Sequence, residues 1–246
     1  MGYALVTGSS RGAGKTTAIQ LAKDGYDVFI CYKKEKGKAE EVVNEIKKLG
    51  RKAFIIQADL VNDADRKQMV DEVLKITNHL DILVNNAGFD YGYMIEDYKL
   101  SEIEYMININ LIQKMMVTKY FLPLLKKSDN ARIVNIASRM GKEKTIETIG
   151  AYGPAEAGVI KFTQCCALEF RKFKIRVNCV APGLMRTDLT ESILSDEDFK
   201  SAAKANPSGR VGKPQDVANV ISFLVSEKGS YINGETIGVN GGSNLG

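Results

Sequence analysis

At 246 residues the chain is long enough to bury a full core, and one α/β domain is expected over two small ones. Its 44% hydrophobic and 26% charged residues exclude disordered, collagen-like and mucin-like classes, and a net charge of +4 is too weak for a nucleic-acid partner. No apolar run approaches the ~18 residues of a membrane helix, and the opening MGYALVTGSS reads as a strand rather than a signal peptide, so a soluble, cytoplasmic protein with no membrane partner is expected.

In chain order, residues 3–7 (YALVT) form a short apolar run that ends in a glycine loop, and TTAIQLAKDG after it has helical spacing closed by Gly25. DVFICY is the second strand. It leads to a helix with Ala39, Val42, Val43, Ile46 and Leu49 on one face, then to the strand KAFIIQ. Further strands are expected at DILVN, RIVNIA, IRVNCVA and ETIGVN, with helices near 62–77, 101–127, 151–172 and 215–226. Seven strands thus alternate with six helices. Continuous apolar strands joined by helix-length crossovers predict a doubly wound Rossmann fold, a seven-stranded parallel sheet with helices on both faces. Residues 1–246 form one domain, and the polar stretch 183–214 is expected to act as a lid. In such sheets ligands bind beyond the carboxyl ends of the strands.

The four cysteines, Cys31, Cys165, Cys166 and Cys179, lack C-x-x-C spacing and read as reduced residues, three of them in core elements. The single histidine, His79, excludes a histidine-based zinc cluster, and no metal is expected.

The loop TGSSRGAGKT invites two readings. A P-loop ending in Gly14-Lys15-Thr16 requires glycine where Ser9 stands. The alternative is Gly8, Gly12 and Gly14, which let the backbone turn tightly against a pyrophosphate at a helix N-terminus. A dinucleotide site that prefers a free ribose 2′-hydroxyl carries an acid about 20 residues on. Here the second strand ends in Tyr32, Lys33 and Lys34, a cationic corner that with Arg11 suits a 2′-phosphate, whereas Lys36 and Lys38 read as solvated. NADP is therefore expected over NAD.

TGSSRGAG, NNAG (85–88), Ser138 after IVNIA, Tyr152 opening a helix and RVNCVAPG (176–183) occur in one order, and together they resemble the short-chain dehydrogenase/reductase family. The likeness runs over essentially the whole chain and is nearest to the 3-oxoacyl-acyl-carrier-protein reductase and sugar dehydrogenase branches. It implies hydride transfer between a nicotinamide and a small carbonyl or secondary alcohol. The implied catalytic set is Asn110, Ser138, Tyr152 and position 156. Tyr152 exchanges a proton with the substrate oxygen, Ser138 holds that oxygen, and Asn110 completes a proton relay. The implied cofactor residues are Gly8, Ser10, Arg11, Gly12 and Gly14 for the phosphates, with Asp59 and Leu60 at the adenine. Asn86, Ala87 and Gly88 lie by the ribose, and Pro182, Gly183 and Thr187 by the nicotinamide.

At position 156 the family has a lysine; this chain has Glu156. An ionised carboxylate one helical turn from a phenol opposes formation of the phenolate, so turnover is expected to be slowed. Restoring lysine at 156 is expected to raise the rate at least about tenfold. Lys142 and Lys144 on the loop after Ser138 are candidates for a substitute cation. The alternative function is a dinucleotide-binding pseudoenzyme without significant turnover.

Phe89, Tyr91, Tyr93, Met94 and Met140 predict an apolar, aromatic mouth. Lys126, Lys127, Arg171 and Lys172 are a candidate basic patch, although such residues are favourable at helix C-termini in any case. Met115, Met116, Tyr120, Phe121, Phe162 and Cys165 exceed one sheet-facing stripe, and the resemblance implies a homotetramer, with a dimer as the fallback.

Overall fold

Strands β1 (Tyr3–Val6), β2 (Asp27–Tyr32) and β4 (Ile82–Asn85) are almost wholly buried, as their unbroken apolar sequences require of strands covered on both faces. With β3 (Ala53–Gln57), β5 (Arg132–Ile136), β6 (Arg176–Pro182) and β7 (Thr236–Val239) they form one sheet in the order β3-β2-β1-β4-β5-β6-β7. Every neighbouring pair is parallel, with Leu5 opposite Phe29 and Leu83, and Leu83 opposite Ile133. The computed structural model describes residues 2–89, 92–142 and 145–245.

Alternate strand residues feed two cores. Leu5, Phe29, Leu83, Ile133 and Val177 pack on one face against α3 (Asp63–Leu74), α5 (Gln113–Leu125) and α6 (Tyr152–Glu169). Val6, Ile30, Ile82, Val134 and Val180 pack on the other against α1 (Gly12–Lys23), α2 (Lys36–Lys48) and α9 (Pro214–Val225). Each such fully buried aliphatic or aromatic side chain contributes about 1.5–3 kcal/mol. This is the doubly wound architecture expected from the sequence.

Two differences concern the helices. The segment read as one helix over 101–127 is α4 (Leu100–Ile107), a π-helical turn (Asn108–Ile112) and then α5. Asn110 sits inside the π turn. Its Nδ2 donates to the Met106 carbonyl at 3.1 Å and to the Phe89 carbonyl at 2.8 Å, while its Oδ1 accepts from the Phe89 amide at 3.0 Å. A side chain committed to a loop 21 residues away holds the widened turn open. The stretch after β6 contains α7 (Asp188–Glu191) and α8 (Asp196–Ala205), so the described residues hold nine α-helices where six were expected.

Phe121 is fully buried against the sheet and not on an outer face; Met115 is 40% exposed and Cys165 is also exposed. His79 lies before β4, at the sheet end opposite the strand C-termini, with its ring 3.2 Å from the Thr77 hydroxyl.

Candidate functional site

The residues picked out from the sequence converge on one cavity of about 650 Å³ at the carboxyl end of the sheet. Its floor is the glycine loop. Gly8 and Gly12 have positive φ angles of 63° and 57°, which favour glycine. Gly14 is needed for a different reason: a Cβ there would lie 2.3 Å from the Gly8 carbonyl oxygen and 2.6 Å from Asn86 Nδ2. Helix α1 starts beside this cradle with no side-chain cap and no acid in its first turn, which leaves its N–H groups and positive dipole end for an anion.

Ser9 donates to the Val6 carbonyl at 2.7 Å and accepts from the Cys31 amide at 3.0 Å, so it ties the loop to the sheet. Lys15 points away and pairs with Glu45 at 2.6 Å. Neither residue serves as a phosphotransferase P-loop would require. Asn86 braces the cradle from β4: its Nδ2 donates to the Thr7 and Gly8 carbonyls at 2.9 and 3.2 Å, and its amide, like that of Ala87, donates to the Thr7 hydroxyl. Gly88 approaches the π turn so closely that a Cβ would lie 2.8 Å from Asn110 Oδ1 and 3.7 Å from Lys114 Nζ.

At the end of the cavity beside β2 and β3, Arg11, Lys33, Lys34, Asp59 and Leu60 line the wall. Lys33 Nζ is 2.7 Å from Asp59 Oδ2, and that hydrogen bond holds the ammonium above its ordinary pKa. Lys38, read from the sequence as solvated, instead pairs at 2.6 Å with Asp188 and ties α2 to α7. Thr187 caps α7 by accepting from the Thr190 amide at 3.3 Å, and Gly12 faces its side chain. The 183–214 stretch thus meets the glycine loop at Thr187 and α2 at Asp188.

At the other end, Ser138 follows β5 in extended backbone and its hydroxyl accepts from the Met140 amide at 3.2 Å. The loop behind it is pressed onto α6: a Cβ on Gly141 would lie 2.4 Å from the Glu156 carbonyl carbon. Tyr152 opens α6, half-buried, and shares the cavity wall with Ser138 and Asn110. Pro182 ends β6, and Gly183 donates from its amide to the Val239 carbonyl at 2.9 Å.

Glu156 is 2% exposed, with its Oε1 3.9 Å from Nζ of Lys114, itself 1% exposed and also on the cavity wall. Sequence reasoning missed Lys114, because a lysine on a helix reads as a surface residue. Its four-residue spacing from Asn110 was the available signal. Lys114 changes the expectation for position 156, since a lysine there would set two ammonium groups together in a buried site. Of the loop candidates, Lys142 is exposed and Lys144 lies outside the described residues.

Phe89 and Met140 line the main cavity, and Tyr93, Met94, Ile95 and Ile149 line an adjoining pocket of about 550 Å³ that shares Met140. Tyr91 lies outside the described residues. Lys126 and Lys172 stand 4.1 and 5.1 Å from the ring centre of Phe173, so both also serve local packing.

A parallel doubly wound sheet with this glycine cradle and a Ser138–Tyr152 wall defines a dinucleotide-type oxidoreductase fold. The chain belongs to the short-chain dehydrogenase/reductase family: the family model described as enoyl-(acyl carrier protein) reductase matches residues 8–244. It is 39% identical over 244 residues to the 3-oxoacyl-(acyl-carrier-protein) reductase FabG of Staphylococcus aureus, covering 97% of this chain and 96% of that protein. To FabG of Aquifex aeolicus it is 38% identical over 241 residues, covering 97% and 95%. Among solved structures it is similar to a short-chain dehydrogenase from Burkholderia cenocepacia in complex with NADP, with a TM-score of 0.92, 34% identity and coverage of 99% and 98%. The NADP active-site complex of Pseudomonas aeruginosa RhlG has a TM-score of 0.92, 31% identity and coverage of 99% and 96%.

Proposed function

We propose that this protein is a cytoplasmic NADP(H)-dependent oxidoreductase that interconverts a carbonyl and a secondary alcohol. One observation carries the reading: Ser138 and Tyr152 share a single cavity with a glycine cradle that only an unsubstituted backbone fits. The relatives described as 3-oxoacyl reductases and the NADP complexes of similar structures support it. The cradle fits a pyrophosphate on α1, and Arg11 and Lys33 fit a 2′-phosphate.

A bound dihydronicotinamide supplies hydride to the carbonyl carbon. The chain supplies the proton. Ser138 donates a hydrogen bond to the substrate oxygen and fixes it beside Tyr152, whose phenol O–H transfers its proton there, general acid catalysis worth ~10²–10⁴-fold. Asn110, bonded to the Phe89 backbone and the Met106 carbonyl, keeps the π turn and so the wall facing Tyr152 in place. Phe89, Met140, Leu184 and Met185 exclude water from the reacting end and favour a substrate with an apolar body, such as an acyl chain. Exposed Ile112, Met115 and Leu168 on the outer faces of the long helices support a homotetramer, or a dimer built on the same faces.

A second reading, dinucleotide binding without turnover, is favoured by the acid at position 156. NADPH titration followed by turnover on 3-oxoacyl thioesters, aliphatic ketones and polyols separates the two. Binding with oxidation of NADPH establishes the first; binding with none establishes the second; no binding removes both.

A further inference from the structure

The buried ion pair between α5 and α6 has no place in the reaction as set out so far. Lys114 and Glu156 are 1% and 2% exposed, with Nζ 3.9 Å from Oε1. Burial of two charges carries a desolvation cost that their attraction scarcely offsets, so apolar residues would join these helices at least as well. Location gives the pair its meaning. Both residues line the cavity, Lys114 beside Gly88 and one turn beyond Asn110, Glu156 one turn beyond Tyr152. An acid alone there would oppose phenolate formation; a neighbouring ammonium offsets that field.

We propose that Lys114 supplies from α5 the positive charge that stabilises the Tyr152 phenolate during turnover, with Glu156 as the carboxylate that anchors it. The proposal rests on the oxidoreductase reading and acts through Tyr152, so Lys114 is a positioning residue. In the reductive direction the carbonyl π bond breaks as hydride forms the new C–H bond, and the phenol O–H breaks as the alcohol O–H forms. The phenolate left behind, on the cavity wall that Lys114 also lines, regains its proton from solvent, and the nicotinamide leaves oxidised.

Lys114→Met alone strands a buried carboxylate and is a poor test. The double variant Lys114→Met/Glu156→Gln removes both charges at nearly constant volume, and Lys114→Met/Glu156→Lys returns the cation on α6. The first readout needs no activity: ultraviolet difference titration of the cofactor-free protein, with Tyr152→Phe as the subtraction. Tyr152 is expected to ionise at least one pH unit higher in the first double variant than in wild type, and to return in the second. Turnover with NADPH should fall at least tenfold in kcat, with little change in NADPH affinity, and recover on charge return. Equal titration and rate in wild type and Lys114→Met/Glu156→Gln overturn the lysine's role and leave the oxidoreductase reading standing. Loss without recovery assigns the pair a structural part only and also overturns it. A wild type that binds NADPH and turns over nothing overturns the oxidoreductase reading, and the lysine's role with it.

Discussion

The ammonium of Lys33 lies 2.7 Å from the carboxylate of Asp59, so the cation at the end of β2 is already held by the loop after β3. A 2′-phosphate arriving at this corner must share or displace that partner. Both side chains are more than a third exposed, and such a pair is worth about 1 kcal/mol or less in stability. Lys33→Asp is therefore expected to weaken NADPH binding at least tenfold, to narrow or invert the preference over NADH, and to leave the melting temperature nearly unchanged. Fluorescence titration with both cofactors checks this; an unchanged NADPH affinity would remove Lys33 from the phosphate site.

Two glycines make a matched pair of substitutions. A Cβ on Gly14 meets the Gly8 carbonyl oxygen at 2.3 Å, whereas one on Gly37, in the first turn of α2, meets nothing within 4 Å. Gly14→Ala is expected to cost about 1–3 kcal/mol by overpacking and to abolish dinucleotide binding. Gly37→Ala should stabilise by up to about 1 kcal/mol through helix propensity, with binding intact. Thermal melts with and without NADPH measure both, and equal behaviour of the two variants would refute the cradle.

The seven strands and the cover on both sheet faces were legible because a covered parallel strand must be an apolar run, and Leu5, Phe29, Leu83 and Ile133 alternate with Val6, Ile30, Val84 and Val134 accordingly. The cavity wall was legible because loops at strand C-termini are where ligands bind, and the residues named there do line it. Long-range polar contacts were not legible. The π turn depends on Asn110 reaching Phe89, and the tie between α2 and α7 on Lys38 meeting Asp188, 150 residues away. Lys114 looked like a surface lysine because its one local signal, the four-residue spacing from Asn110, does not by itself mark burial; the buried partner, Glu156, lies on another helix. Its anchoring acid was visible but read alone, and so appeared only as a defect.

Burial pushes the thiols of Cys31, Cys166 and Cys179 up to about 12, while Cys165 stands exposed on α6. The thiolate is the reactive form, so native protein at pH 8 is expected to take one N-ethylmaleimide and denatured protein all 4. Mass spectrometry of the adducts gives the count. Two or more labels on the native chain would place a second thiol outside the core. Since Cys165 shares α6 with the apolar residues of the proposed subunit contact, slower labelling at higher protein concentration would report assembly through that face.

The ion pair between Lys38 and Asp188 joins α2 to α7 in the 183–214 stretch, the lid expected from the sequence. Asp188 is kept below the ordinary carboxylate range chiefly by its hydrogen bond to Lys38. A carboxyl with a depressed folded pKa contributes stability above its unfolded value of roughly 4, which is lost as pH falls through the lower folded value. The clamp is thus complete at pH 7 and opens only in acid. At 2.6 Å but with both side chains over 40% exposed, it adds about 1 kcal/mol at most. Lys38→Ala should lower the melting temperature by no more than about 4 °C. Its larger effect is local: trypsin should cut the mutant at Arg186, Lys200 or Lys204 several-fold faster than wild type at pH 7 and low salt. In about 0.5 M salt, where the Debye length shrinks to a few ångströms, wild type should approach the mutant rate. Lys38→Arg should retain protection. Identical digestion of wild type and Lys38→Ala at low salt would show that the 183–214 stretch is held by the Thr187 cap and the Arg186 pairs with Glu191 and Asp196, and not by this clamp.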